Sequence, residues 1–169
     1  ETETRCKECF TFVEPRLNSA IDRYYEASSV VSDPTEDTYR KKDTFREKVQ
    51  LLFPRVEAFA AEEQTTTQSA LYGNGIDLWA LKHYLGAVSA IEYWDGRPLL
   101  TSVVINSERG YPAEGYFRLV ERLDGLPGDI TSWSPENQKA WWNEQLAAVK
   151  GCWGKRDVAD QYLQVGRDT

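Results

Sequence analysis

The stretch Asp95-Gly96-Arg97-Pro98-Leu99-Leu100-Thr101-Ser102-Val103-Val104-Ile105-Asn106 decides how this chain is read. Its first four residues are the strongest turn signal in the sequence, because glycine tolerates positive φ and proline cannot continue a helix. The run that follows is short and rich in β-branched residues, the composition of a strand, so the expectation is a strand at about 99–105. Immediately before the turn, Ile91-Glu92-Tyr93-Trp94 fits either the second arm of a hairpin or the end of a helix, and both stay open.

Away from this stretch the periodicity is helical. Upstream, Cys6, Phe10, Val13, Leu17, Ile21 and Tyr24 recur at steps of three and four along one stripe, with Pro15 predicting a kink or a helix start. Asp33-Pro34, with Glu36 behind them, resemble a capping box that opens a second helix whose stripe is Phe45, Val49, Leu52, Val56 and Phe59. Pro54 predicts a bend or break near Phe53. The two helices make a hairpin over about 5–63. A polar loop from Glu62 to Ser69 and a tight Tyr72-Gly73-Asn74-Gly75 turn follow, and Asp77 is placed to cap a helix through Leu78, Leu81, Leu85 and Val88.

Downstream of the strand, Pro112 can open a helix running to Leu123, and Ser134-Pro135 open another bearing Trp142, Leu146, Val149 and Trp153 on one face. The expected class is α+β, mostly helical, as a single domain over 1–169. It comprises the hairpin at 5–63, an α+β core at 70–154 whose small β element is packed by C-terminal helices, and a polar tail at 155–169.

Composition limits the partners. The chain has 169 residues with 20 Lys and Arg against 27 Asp and Glu, a net charge of -7. That charge argues against a general nucleic-acid coat or a polybasic membrane binder, so any such contact would need a local patch. No apolar run approaches the roughly 20 residues that span a bilayer, and no export signal opens the sequence, so no membrane partner is expected. Three cysteines are an odd number for a disulfide framework, and a reducing cytoplasm is the expected compartment.

The chemistry-bearing motifs are few. Cys6-Lys7-Glu8-Cys9 invites a redox reading, but no strand fits before it. A zinc site would consume Cys6, Cys9, His83 and Cys152 together, without a second paired spacing, while Cys6 also fits the apolar stripe as a small core residue. No phosphate-binding glycine loop and no serine-nucleophile motif occurs, so no cofactor is expected. Asp95, Glu108 and Glu114 flank the strand, where carboxylates of a metal-dependent phosphodiester hydrolase can meet one cation; this enzyme reading requires the three to converge.

The segment from Asn106 to Phe117 carries the main expectation. It leaves the strand end, turns on Gly110 and enters a helix at Pro112, and such loops are exposed and free to hold polar groups. Gly115, one turn into that helix, would let another backbone or a ligand approach closely. The predicted contact residues are Arg97, Asn106, Arg109, Tyr111 and Glu114. A surplus of tryptophan and tyrosine, 6 and 9, also suits an interface.

Leu85-Gly86-Ala87-Val88-Ser89, Gly96-Arg97-Pro98-Leu99 to Asn106, and Gly110-Tyr111-Pro112-Ala113-Glu114-Gly115-Tyr116-Phe117 together resemble a recurring prokaryotic pattern. The pattern runs L-G-x-[IV]-S, G-[RL]-P-x-L-[ST]-x-[VI]-V-V-x, then G-x-P-G-x-G-F-F, and belongs to small, poorly characterised domains of restriction-like and mobile-element gene neighbourhoods. Ala113 stands where the pattern has a glycine. The resemblance covers about 81–123 and implies a prokaryotic intracellular setting, with no catalytic role to carry over. The leading expectation is an interaction module, a defence-associated accessory domain contacting a partner protein or nucleic acid. Alternatives are the hydrolase and a structural or regulatory domain that seals an assembly through the hairpin, the last requiring an exposed Phe45–Phe59 seam.

Overall fold

The computed structural model describes residues 14–27 and 42–154. Helices α1 (Glu14–Ala27) and α2 (Lys42–Ala61) form the expected hairpin. Gln50 donates to Asn18, Arg46 to Asp22 through Nε at 2.7 Å and through Nη2, and Lys42 to Glu26 at 3.1 Å. Each successive pair lies one turn further along α1 and one turn back along α2, the register of antiparallel helices. Pro15 falls in the first turn of α1, where its missing amide hydrogen breaks no helical bond. Pro54 sits on the exposed side of α2, and the helix continues through it, so the expected break near Phe53 does not occur. The capping-box start at Asp33, the Cys6–Cys9 pair and the 155–169 tail lie outside the described residues.

The seam of α2 is not a free surface. Phe45, Val49, Leu52 and Val56 are fully buried, and Phe45 packs against the rings of Tyr24, Tyr25 and Tyr84 at centroid distances of 6.2, 5.4 and 5.4 Å. The exposure that the assembly-sealing alternative required is absent at those positions.

A four-residue helix, α3 (Gln68–Leu71), precedes the Gly73–Ile76 turn, in which Gly73, Asn74 and Gly75 all have positive φ. Arg55 of α2 donates to the carbonyls of Leu71, Gly73 and Asn74 and pins that turn. A 3-10 turn (Leu78–Ala80) then leads into α4 (Leu81–Trp94). Asp77 makes no side-chain cap bond there, and Leu78 is 47% exposed rather than on the apolar face. Helix α4 is buried from Tyr84 through Glu92, the condition of a helix apolar on nearly every side and surrounded by others. This settles Ile91–Trp94 as helix.

The expected strand at 99–105 is mostly something else. Leu100–Val103 form a 3-10 turn, and only Val104–Ile105 are strand (β2), paired in parallel with Thr66–Thr67 (β1) from the stretch expected to be loop. All of Leu99 to Val103 are buried, and among the described residues no ladder partner is long enough to satisfy their backbone as strand. Coiling satisfies it locally: Ser102 N bonds Leu99 O at 3.0 Å, and Trp142 Nε1 donates to Ser102 O at 2.7 Å. Helix α5 (Glu114–Arg122) starts two residues after Pro112, and α6 (Pro135–Trp153) starts as expected, with Ser134 Oγ capping Asn137 N at 3.2 Å. The architecture is α+β, mostly helical, with one small two-stranded parallel sheet among the described residues. One hydrophobic cluster joins all five long helices from Ile21 to Trp153. Among the described residues no helix is long and apolar enough to cross a membrane.

Candidate functional site

The Asp95–Pro98 turn closes α4 onto itself. Gly96 turns at φ 81°, and Arg97 N bonds Glu92 O at 2.9 Å. The Arg97 guanidinium then folds back on the Glu92 carboxylate through two bonds of 2.8 and 3.0 Å and also contacts Asp95. Arg97 is 4% exposed, which corrects its expected role as a free contact residue. Glu92 on the inner face of α4 draws it in, because a buried carboxylate needs a charged, hydrogen-bonded partner. Burial, with the Glu92 charge nearby, pushes the carboxyl of Glu57 on α2 up to about 8, against the opposing pull of Arg97.

Beyond β2 the chain emerges as a ledge. Asn106 Oδ1 accepts from the amides of Glu108 and Arg109 at 3.0 and 3.1 Å, and Gly110 turns at φ 77° to return its own amide to Asn106 O. Asn106 thus shapes the loop with its side chain. Ser107, Glu108, Arg109 and Gly110 are exposed. Tyr111 is 9% exposed and packs edge-on to Phe117, so it anchors the ledge instead of reaching out, a second correction. Arg109 lies over its ring at 4.1 Å. Glu114, exposed at the start of α5, pairs with Arg118 at 3.1 Å. Asp95, Glu108 and Glu114 do not form the expected metal-binding trio: among the described residues no three His, Cys, Asp or Glu side chains gather to hold a cation.

Beside the ledge, α4, α5 and the strand pair enclose a cleft of about 230 Å³. Leu85, Gly86, Val104, Pro112 and Leu119 make its apolar walls. Two of its lining hydroxyls are held from behind: Thr101 by Ser89, and Tyr116 by Ser102 at 2.7 Å. Burial pushes the Tyr116 phenol above its ordinary range, so it stays protonated. A second hollow of about 250 Å³, lined by Thr67, Ser69, Asn106 and Ser107, shares Gln68, Val104 and Ala113 with the first. The two adjoin along those shared residues as a groove whose first part is mainly apolar and whose second mixes Val104, Ile105 and Ala113 with polar side chains. Lys82 is its one charged lining residue among those described.

Two glycines border the cleft for different reasons. A Cβ on Gly86 would collide with the Tyr24 hydroxyl, so packing requires that glycine. A Cβ on Gly115 would meet nothing within 4 Å, and its φ is not positive. Neither sterics nor backbone conformation explains Gly115, although glycine in a helix costs up to about 1 kcal/mol relative to alanine.

The sequence singled out Gly115, which lines the groove with no other group near its missing Cβ, whereas Lys82 and Gln68 were not legible as lining residues. They reach the groove only through the packing of α4 and the pairing of β1 with β2. Cys152 is buried in α6, His83 is half-buried on α4, and the zinc set they would complete with Cys6 and Cys9 extends outside the described residues. No family model, curated protein or solved structure matches this chain.

Proposed function

We propose that this chain is an interaction module that holds a segment of another protein in the groove between α4, α5 and the strand pair, with the Asn106–Gly110 ledge as its rim. The observation that carries this reading is Gly115, a helical glycine that the fold itself does not require and that keeps the groove wall free of a side chain. The lining favours protein over nucleic acid, since one lysine supplies too little positive charge for phosphate-driven binding. A role as an accessory domain in a prokaryotic defence or mobile-element setting rests on the resemblance over 81–123.

The test is site-specific photocrosslinking in cells that express the chain natively. A crosslinker at Ser107 on the rim is expected to give a discrete protein adduct that Gly115→Trp abolishes, while one at Glu47, exposed on α2, gives none. Equal labelling from both positions, or an adduct indifferent to Gly115→Trp, would remove the groove from the function.

A further inference from the structure

We infer that the segment held in this groove is an extended peptide that inserts one apolar side chain and carries an acidic residue beside it. The inference rests on the interaction reading above and adds the chemistry of the partner. The cleft of about 230 Å³ is small for a folded element or a drug-sized ligand but has room for one side chain, and its walls are aliphatic. Gly115 leaves the backbone of α5 open there, so an incoming main chain can lie against the helix without displacing a Cβ. The adjoining hollow is lined by the Gln68 carboxamide and the Ser107 hydroxyl, by the Asn106 carboxamide, whose Oδ1 already holds two loop amides, and by the Thr67 and Ser69 hydroxyls, which bond each other at 2.9 Å. Such neutral donors and acceptors match the N–H and C=O groups of an extended chain, whose backbone is otherwise unpaired.

Charge then selects the flank. In a protein with 27 acidic residues against 20 basic ones, no carboxylate among the described residues lines either hollow, and Lys82 lines the apolar one. A basic flank seated in the apolar hollow would find no counter-charge among its described lining residues, while an acidic flank there would meet Lys82; Glu108 stands on the rim, beside Arg109. Glu114, at the α5 start, is already paired with Arg118.

The experiment is selection of a random-sequence peptide library displayed on phage, carried out in parallel on the wild-type chain, Gly115→Trp and Lys82→Glu. Thermal unfolding of each variant checks that it folds; both positions are exposed, so both are expected to fold. The wild-type pool is expected to converge on an apolar residue next to Asp or Glu. A synthetic peptide from that pool is expected to lose at least about tenfold in affinity on Gly115→Trp, the loss typical of blocking a central anchor. Lys82→Glu is expected to select basic flanks in place of acidic ones. A pool that depends on Gly115 but shows no charge bias overturns this inference and leaves the interaction reading standing. A pool indifferent to Gly115→Trp, or no convergent pool, also overturns it, and the in-cell crosslink then decides the wider reading independently.

Discussion

At Gly96 and at Gly110 the chain turns through positive φ, 81° and 77°, and an arginine stands beside each glycine, yet Arg97 folds inward and Arg109 outward. The difference comes from what each turn offers. The first closes a buried helix whose Glu92 carboxylate has been taken from water and needs a cation. The second is shaped by the Asn106 side chain, which satisfies two loop amides itself, so Arg109 only lies over the face of the Tyr111 ring. Two turns with similar sequence signals therefore divide the work, one locking the core and the other rimming the groove.

Removing the arginines in turn separates the two roles. Arg97→Met is expected to lose about 3–5 kcal/mol in chemical denaturation, because it strands Glu92 as a buried, unpaired charge. The double variant with Glu92→Met should recover most of that loss. Arg109→Ala is expected to stay within about 1 kcal/mol of wild type, the scale of an exposed cation–π contact. Equal losses at the two positions would erase the distinction.

The glycines that border the groove sharpen the same contrast. Gly86→Ala is expected to cost about 1–3 kcal/mol through overpacking against Tyr24, partly relieved by Tyr24→Phe. Gly115→Ala is expected to be neutral or stabilising by up to about 1 kcal/mol, measured in the same denaturation series.

The Glu57 carboxyl near the Glu92–Arg97 pair makes the locked region sensitive to pH. Its pKa is raised from an ordinary 4.5 to about 8 in the folded protein, so between those values the folded state holds a proton that the unfolded state has released. Its contribution is fully present below 4.5 and is lost as pH rises through about 8. Stability should fall across that window with a slope of up to about 1.4 kcal/mol per pH unit from this group. Glu57→Gln should flatten the slope. Asn106→Ala is expected to cost about 0.5–1.5 kcal/mol for its hydrogen bonds, read as faster amide exchange confined to residues 107–110.

Much of the helical fold was legible in the sequence. The stripe Phe45-Val49-Leu52-Val56 and the Ser134-Pro135 start are local signals, since burial at every third or fourth residue and a capped first turn depend only on neighbours along the chain. The strand at 99–105 misled because β-branched composition reports a half-buried pleated surface, and here Trp142 and the Ser89 hydroxyl approach from other elements and hold the segment coiled. Its true partner, Thr66–Thr67, is polar and gave no strand signal.

The candidate site divides in the same way. Periodicity and turn chemistry within a few residues determined the helices, the two positive-φ turns, the exposed Asn106–Gly110 loop and the unusual Gly115. Which arginine is buried, that Tyr111 lies inside, and that Lys82 and Gln68 line the same hollow were decided only by tertiary packing. Burial and charge pairing act between residues distant in sequence, and nothing in local spacing encodes which inner carboxylate a given arginine will reach.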